Sequence, residues 1–137
     1  MAVTRILAKW SSSGPELQSV LRIVAALMFL LAGSTKLLGF PTGIPPHGGT
    51  VPLLSQMGIG AILEALGGVL LLLGLFTRPV AFLLAGEMAV AYFQFHFPKG
   101  FWPTVNGGTA AVLYCFVWLY FSAAGPGPWS LDARRKK

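Results

Sequence analysis

Charged side chains are scarce in this chain of 137 residues, and acidic ones are the scarcest. Asp and Glu total 4 against 10 Lys and Arg; charged residues make up 10% of the sequence and hydrophobic residues 55%. A typical soluble domain carries about 25% charged residues, so this composition, with a mean hydropathy of +0.71, excludes an ordinary soluble fold. The length allows about one domain. We therefore predict a single membrane domain over residues 1–137.

Cysteine and cofactor motifs are also lacking. The one cysteine, Cys115, excludes an intramolecular disulfide and a four-cysteine metal centre. The sequence has no G-x-G-x-x-G turn, P-loop, H-E-x-x-H motif or nucleophile elbow. His47, His96 and the few nearby acids offer too few ligands for a metal ion or a haem. The sequence thus predicts no metal site, no covalently bound cofactor and no self-contained nucleotide or hydrolytic chemistry.

Four apolar runs stand out, each close to the length of about 20 residues that an α-helix needs to cross about 30 Å of hydrocarbon. They cover residues 20–38, 57–76, 80–97 and 107–124. Only Thr77-Arg78-Pro79 separates the second run from the third, which predicts a tight helical hairpin. The sequence therefore predicts an all-α, integral membrane four-helix bundle with tails at 1–14 and 125–137. Residues 3–10 fit both a basic interfacial helix and a disordered tail.

The net charge of +6 reflects orientation in the membrane. The basic residues lie at the chain ends and between apolar runs, not in a stripe with exposed aromatics, so no nucleic-acid partner is expected. On one side of the predicted bundle lie Arg5, Lys9, Arg78, Arg134, Arg135, Lys136 and Lys137, and on the other side lies Lys99. Because basic loops remain in the cytoplasm, Arg78, Arg134 and Arg135 are the main topology determinants. Both termini are predicted to be cytoplasmic.

Lys36 and Glu64 are predicted to form a structural pair inside the membrane. Ionisable groups in a span cost about 2.5–3.5 kcal/mol each and usually face partners in the bundle interior. Lys36 lies near the outer end of the first span, and Glu64 lies about 10 Å inside the outer end of the second. Both share helix faces with small residues, including Gly33 and Gly60, and such faces pack closely. The pair therefore ties two helices together.

Glu87, Gln94 and His96 form the candidate proton or quinone site. Glu87 lies near the middle of the third span, where Gln94 follows it at i+7 on a partly polar face and no cation stands at equal depth. It is either a structural hydrogen-bonding group or a functional acid, and we favour the functional role. His96 lies at the outer mouth, and nine steps of about 100° place it opposite Glu87 on an α-helix. The two therefore do not form one acid/base pair.

Aromatic residues between Tyr92 and Trp102 and along the last span have two interpretations. They can line a groove for a flat hydrophobe such as a quinone, or they can form lipid-facing belts, which is the commoner arrangement. The last span contributes Tyr114, Trp118, Tyr120 and Phe121. The belt is the interpretation we favour.

Three segments in this order resemble the DoxX family of small four-helix bacterial membrane proteins. The first holds Leu21-Arg22-Ile23 and the A-G-x-x-K-L segment at residues 32–37. The second is the hairpin E-x-x-G-G-x-x-L-x-x-G-L-x-T-R, from Glu64 to Arg78, and the third is G-x-G-x-x-S-L-D at residues 125–132. The resemblance implies a four-helix fold in the bacterial inner membrane. It also implies an association with sulfur and thiol redox systems, in which related subunits accompany thiosulfate:quinone oxidoreductase or detoxifying enzymes.

Two functions remain open at this point. One is a DoxX-like subunit that supports a quinone-linked, sulfur- or thiol-related redox system, with quinone as the expected cofactor; the single Cys115 excludes an autonomous dithiol cycle. The other is a non-catalytic accessory or scaffold subunit. Both predict lipid and either other membrane subunits or further copies of this chain as partners. Solute transport has less support, because no inverted repeat or broken span occurs.

Overall fold

The structure, a computed structural model, describes residues 1–136 and contains only helices and loops over that range. The helices are α1 (Ala2–Ser11), α2 (Gly14–Leu38), α3 (Gln56–Leu73), α4 (Thr77–Ala91), α5 (Pro103–Asn106), α6 (Thr109–Ala124) and α7 (Leu131–Arg135). A π-helical segment, Tyr92–His96, and a 3₁₀ turn, Phe97–Lys99, continue α4 without a break. In the loop between α2 and α3 the backbone forms a single antiparallel bridge, Ile44 to Gly49.

Local sequence signals explain where α2 and α3 begin and end. Pro15 and Glu16 lie in the first turn of α2, which therefore begins at Gly14, ahead of the apolar run that starts at residue 20. The Ser55 hydroxyl caps α3 by accepting a hydrogen bond from the Gly58 backbone N–H at 3.0 Å. Gly74 adopts a left-handed φ of 67° and ends α3 at Leu73, three residues before the predicted end.

The start of α4 depends on a residue far along the chain. Asp132 accepts hydrogen bonds from the backbone N–H groups of Phe76 and Thr77, both at 2.9 Å. Its carboxylate therefore caps α4, which begins at Thr77 and not at residue 80. Within the predicted tail at residues 125–137, the segment that carries α7 is thus attached to the bundle through Asp132.

Glycines set the close approach of α2 to α3. A Cβ added at Gly33 would lie 2.8 Å from the Ala65 backbone nitrogen, and one at Gly68 would lie 3.0 Å from the Leu30 Cα. Such contacts leave no room for a side chain, so the two backbones touch directly, as small residues allow in membrane bundles. By contrast, α3 packs much less extensively on α4 than α2 does on α3 or α4 on α6.

The core lies between α2, α4 and α6. Phe29 of α2 packs against Tyr114 and Trp118 of α6, with ring centroids 5.1 and 5.5 Å apart. Trp118 and Phe121 are fully buried, so the prediction of a lipid-facing belt is wrong for these two residues. They lie inside because α6 fills the space between α2 and α4, and the bundle is closed on that side.

Three helical stretches are long and apolar enough to cross a membrane. They are Gly14–Leu38, Gln56–Leu73 and Thr77–Lys99, the last including the π-helical segment and the 3₁₀ turn. The fourth apolar helix, α6, has 16 residues. Residues 3–10, for which the sequence fitted both a helix and a disordered tail, lie in the short helix α1. None of the residues of α1 is buried, and its apolar side chains share one exposed face, formed by Val3, Ile6, Leu7 and Trp10.

Candidate functional site: a groove between α3 and α4

A groove of about 1140 Å³ lies between α3 and α4, where the two helices pack least. Its walls are mostly apolar and include Met57, Phe82 and Phe95, which are 41%, 66% and 40% exposed. Its polar lining residues are Lys36, Gln56, Glu64, Glu87, His96 and Lys99. An apolar groove that holds a few converging polar groups has the usual character of a small-molecule site.

Lys36 and Glu64 meet at one end of this groove. The Lys36 Nζ donates to Glu64 Oε1 at 2.8 Å and to Oε2 at 2.9 Å. Glu64 is almost buried, with its side chain 5% exposed, whereas Lys36 is 32% exposed. The contact at Gly33, one turn before Lys36, brings α2 against α3 and holds the ammonium at the carboxylate. Lys36 therefore neutralises a carboxylate that the bundle interior would otherwise leave unpaired.

Glu87 reaches the same groove from α4. A Cβ added at Gly60 would lie 3.1 Å from Glu87 Oε1, so the glycine at this position of α3 makes room for the carboxyl group. Glu87 Oε2 is buried and finds no hydrogen-bond partner among residues 1–136. Sequence reasoning placed Glu87 on a partly polar face of its own helix and Gly60 on the face of Glu64, but missed that Gly60 makes room for Glu87.

His96 lines the groove together with Glu87, although α-helical geometry predicts that the two residues lie on opposite faces. The prediction assumed α-helical geometry through residue 96, but Tyr92–His96 is π-helical. Its i→i+5 turns are wider, and each residue advances by less than the α-helical angle of about 100°. His96 Nδ1 lies 3.2 Å from the Asn106 carbonyl oxygen, which anchors the ring at the mouth of the groove.

Gln94 lies at the edge of the groove. It is exposed, and its side-chain oxygen accepts a hydrogen bond from Gln56, which lines the groove from α3. The amide pair therefore links α3 to the π-helical segment near the mouth. Of the three residues in the predicted site, Glu87 and His96 face the groove directly and Gln94 acts through Gln56.

No cluster of three or more His, Cys, Asp or Glu side chains suited to a metal ion occurs within residues 1–136. What the groove can do chemically is accept a lipophilic molecule from the side and hydrogen-bond its polar atoms. Glu87 Oε2 has no other partner, and Lys36 has a third N–H beyond the two that Glu64 accepts.

A second polar cluster lies at the opposite end of the bundle, around Arg22. This fully buried side chain donates to three backbone carbonyls: Leu71 at 2.8 Å, Trp129 at 2.6 Å, and Pro126. It thereby joins α2, α3 and the segment that follows α6. In the sequence analysis Arg22 appears only within a family pattern. The signal that could have found it is the one used for Lys36: an ionisable group inside a span usually faces a partner in the bundle interior.

The topology residues lie at this same end. Arg78 donates to the Ala123 carbonyl, and the Arg135 guanidinium lies 5.1 Å from the centre of the Phe76 ring. Gln18, near the start of α2, donates to the Gly125 carbonyl at 2.8 Å. The start of α2, the α3–α4 turn and residues 123–135 therefore share one face of the bundle, which we call the terminal face.

The fold defines a small multi-pass helical membrane protein with an apolar groove between α3 and α4. A family model described as DoxX matches residues 17–97, more than half of the chain. The protein belongs to the DoxX family. It is a multi-pass protein of the bacterial inner membrane.

Two similar proteins cover nearly the same length. An uncharacterized protein of Haemophilus influenzae is 46% identical over 123 residues, which cover 86% of this chain and 90% of that protein. The inner membrane protein YphA of Escherichia coli is 28% identical over 140 residues, covering 91% of this chain and 94% of that protein. No solved structure matches the chain significantly.

Proposed function

We propose that the protein binds a quinone in the groove between α3 and α4 and supports a quinone-linked redox system in the inner membrane. The observation that carries this proposal is the orphaned Glu87 Oε2 at the base of a lipid-accessible apolar groove. A quinone combines an apolar ring and tail with two oxygens that take part in hydrogen bonds. The groove offers apolar walls for the ring and tail and polar groups for the two oxygens.

Three side chains are suited to hold such a ring. Lys36 carries an N–H group that can donate to a quinone oxygen, and Glu87 can accept or supply a proton at Oε2. The neutral His96 ring, whose Nδ1–H donates to the Asn106 carbonyl, can accept an O–H of the reduced quinone at Nε2. A bound quinone would carry electrons and protons between redox enzymes. Because Glu64 is already paired with Lys36, Glu87 is the acid free to exchange that proton.

The proposal includes four spans and two cytoplasmic termini. At a rise of 1.5 Å per residue, the 16 residues of α6 cover about 24 Å, several Å less than a typical hydrocarbon core. Local thinning of the bilayer and flanking aromatic anchors accommodate such a mismatch at a modest cost. The basic residues Arg78, Arg134 and Arg135 all belong to the terminal face, which we assign to the cytoplasm.

The redox partner supplies the remaining chemistry. Cys115 is a single free cysteine, so a sulfur or thiol reaction needs reactive groups from another subunit. We therefore place the chain beside a larger oxidoreductase, to which it delivers or from which it receives quinone.

The test is to purify the full chain in a mild detergent and to analyse the small molecules that remain bound. We expect quinone at near one per chain, and a severalfold loss in Glu87→Gln. Glu16→Gln is the matched control, since Glu16 also has a buried Oε2 without a partner among residues 1–136 but lies near the start of α2, away from the groove. Absence of quinone from the wild-type protein, or an equal loss in both variants, would refute the proposal.

A non-catalytic accessory role is the second candidate, and helix α1 favours it. None of its residues is buried within the chain, yet it presents an apolar face with Trp10. Such a face binds either the membrane surface or another subunit. Affinity purification with and without a Trp10→Asp change separates the two: a stoichiometric partner that carries all the quinone and is lost in the variant supports the accessory role.

A further inference from the structure

A second cavity, of about 620 Å³, opens on the terminal face of the bundle, at the end opposite the Lys36–Glu64 pair. It lies just beyond the ends of the spanning helices, between the α3–α4 turn and the segment after α6. Its cationic lining residues are Arg78, Arg135 and Lys136, and its apolar wall contains Phe76, Pro79 and Pro128.

The positive charges of this cavity exceed the negative charges that face it. Asp132 is the one acidic side chain in the lining, so three cations and one anion leave a net charge of +2 among the described lining residues. Both Asp132 oxygens already accept backbone N–H groups of Phe76 and Thr77. Lys36–Glu64 is the only ion pair within residues 1–136. No carboxylate in that range therefore forms an ion pair with Arg78 or Arg135.

The guanidinium groups are held in place by contacts that leave N–H donors free. Arg78 donates to the Ala123 carbonyl, and Gly125 makes room for it, since a Cβ there would lie 3.0 Å from Nη2. Arg135 rests on the Phe76 ring. Each guanidinium carries five N–H donors, so both can bind the oxygens of a phosphate group.

We propose that this cavity binds the phosphate headgroup of an anionic phospholipid. The position explains the choice of a lipid over a free phosphate ion, because the cavity lies at the ends of the spans and its apolar wall suits a glycerol backbone and the upper acyl chains. Basic clusters beside a membrane helix attract anionic lipid. The proposal does not depend on quinone binding in the groove.

The test uses the full chain in a mild detergent, titrated with short-chain phosphatidylglycerol, short-chain phosphatidylcholine or inorganic phosphate and read by native mass spectrometry. We expect one saturable phosphatidylglycerol site. The Arg135→Gln, Lys136→Gln double variant should bind about 25-fold more weakly, given about fivefold for each basic residue near a membrane surface. Both side chains are exposed, so the fold should persist.

The matched control is Arg5→Gln with Lys9→Gln, which removes the same charge from α1, outside the cavity lining. It should retain the site. An equal loss in both double variants would show diffuse attraction and overturn the proposal, as would equal binding of phosphatidylcholine. Tight binding of inorganic phosphate that displaces the lipid would assign the cavity to a free anion and overturn it as well.

Discussion

Replacement of Lys36 by Met tests how the bundle holds a charge inside the membrane. The change leaves Glu64, which is 5% exposed, without its partner, while Met keeps most of the side-chain volume. Removing one member of a buried pair costs about 3–5 kcal/mol, because the remaining charge is buried and uncompensated. Lys36 is 32% exposed, so part of its attraction is screened, and we expect the lower end, about 3 kcal/mol.

The reverse change should cost less. In Glu64→Gln the unpaired group is the lysine, whose partly exposed ammonium can extend toward the interface on its flexible stem. We expect a loss of about 1–2 kcal/mol, similar to that of a hydrogen bond to a charged group. The double variant Lys36→Met, Glu64→Gln buries no charge and should be more stable than Lys36→Met alone.

Thermal unfolding in one detergent, at one pH, measures all three variants. For a chain of this size about 3 kcal/mol corresponds to a fall of about 10 °C in Tm. Additive losses in the double variant would show that the two side chains do not stabilise the protein as a pair. A larger loss in Glu64→Gln than in Lys36→Met would refute the reasoning that burial of Glu64 dominates.

Three further predictions concern packing and the terminal face. Gly33→Ala places its Cβ 2.8 Å from the Ala65 backbone and should cost about 1–3 kcal/mol in thermal unfolding, whereas Gly86→Ala, with nothing within 4 Å, should be neutral or slightly stabilising. Arg22→Lys keeps the charge but loses the planar fork that reaches three carbonyls, so limited proteolysis should cut residues 125–136 faster than in wild type. Burial raises the pKa of Asp132, but hydrogen bonds from Thr77 and Phe76 and the charge of Arg135 outweigh it and leave the pKa below its ordinary value of 3.8. The stabilisation by Asp132 is therefore complete above pH 3.8 and is lost as the pH falls through the lower pKa of the folded protein. The Tm values of wild type and Asp132→Asn should differ at pH 6 and converge below pH 3.8.

The parts of the fold that follow from local pattern were predictable from the sequence. Apolar runs of the right length located the three long spanning stretches. The prediction that small-residue faces bring Lys36 toward Glu64 agrees with the distance of 2.8 Å, because the contact depends on helix periodicity and on glycine positions. Its role in holding the helices together stays a prediction.

The parts that depend on distant residues were not predictable in the same way. The cap of α4 comes from Asp132, 55 positions after Thr77, and Arg22 finds carbonyl partners 49 to 107 positions away. The π-helical segment Tyr92–His96 differs from an α-helix in its hydrogen bonding, and the difference changes the direction in which the His96 side chain points. An α-helical wheel cannot anticipate it, and for that reason the sequence predicted His96 on the opposite face from Glu87.

The contrast between the two ends of the bundle explains why the groove exists. At the terminal face, Arg22 and Asp132 join α2, α3, α4 and the last segment by hydrogen bonds to backbone. Toward the other end the groove lies between α3 and α4, which pack on each other much less extensively than α2 packs on α3. Water would force their apolar faces together, but in a membrane lipid tails are as apolar as the side chains and exert no such force. An open groove therefore costs little, and its walls cannot distinguish a ligand from lipid. Under the proposed function, selectivity rests on Glu87 Oε2, the buried atom that a lipid tail leaves without a hydrogen bond.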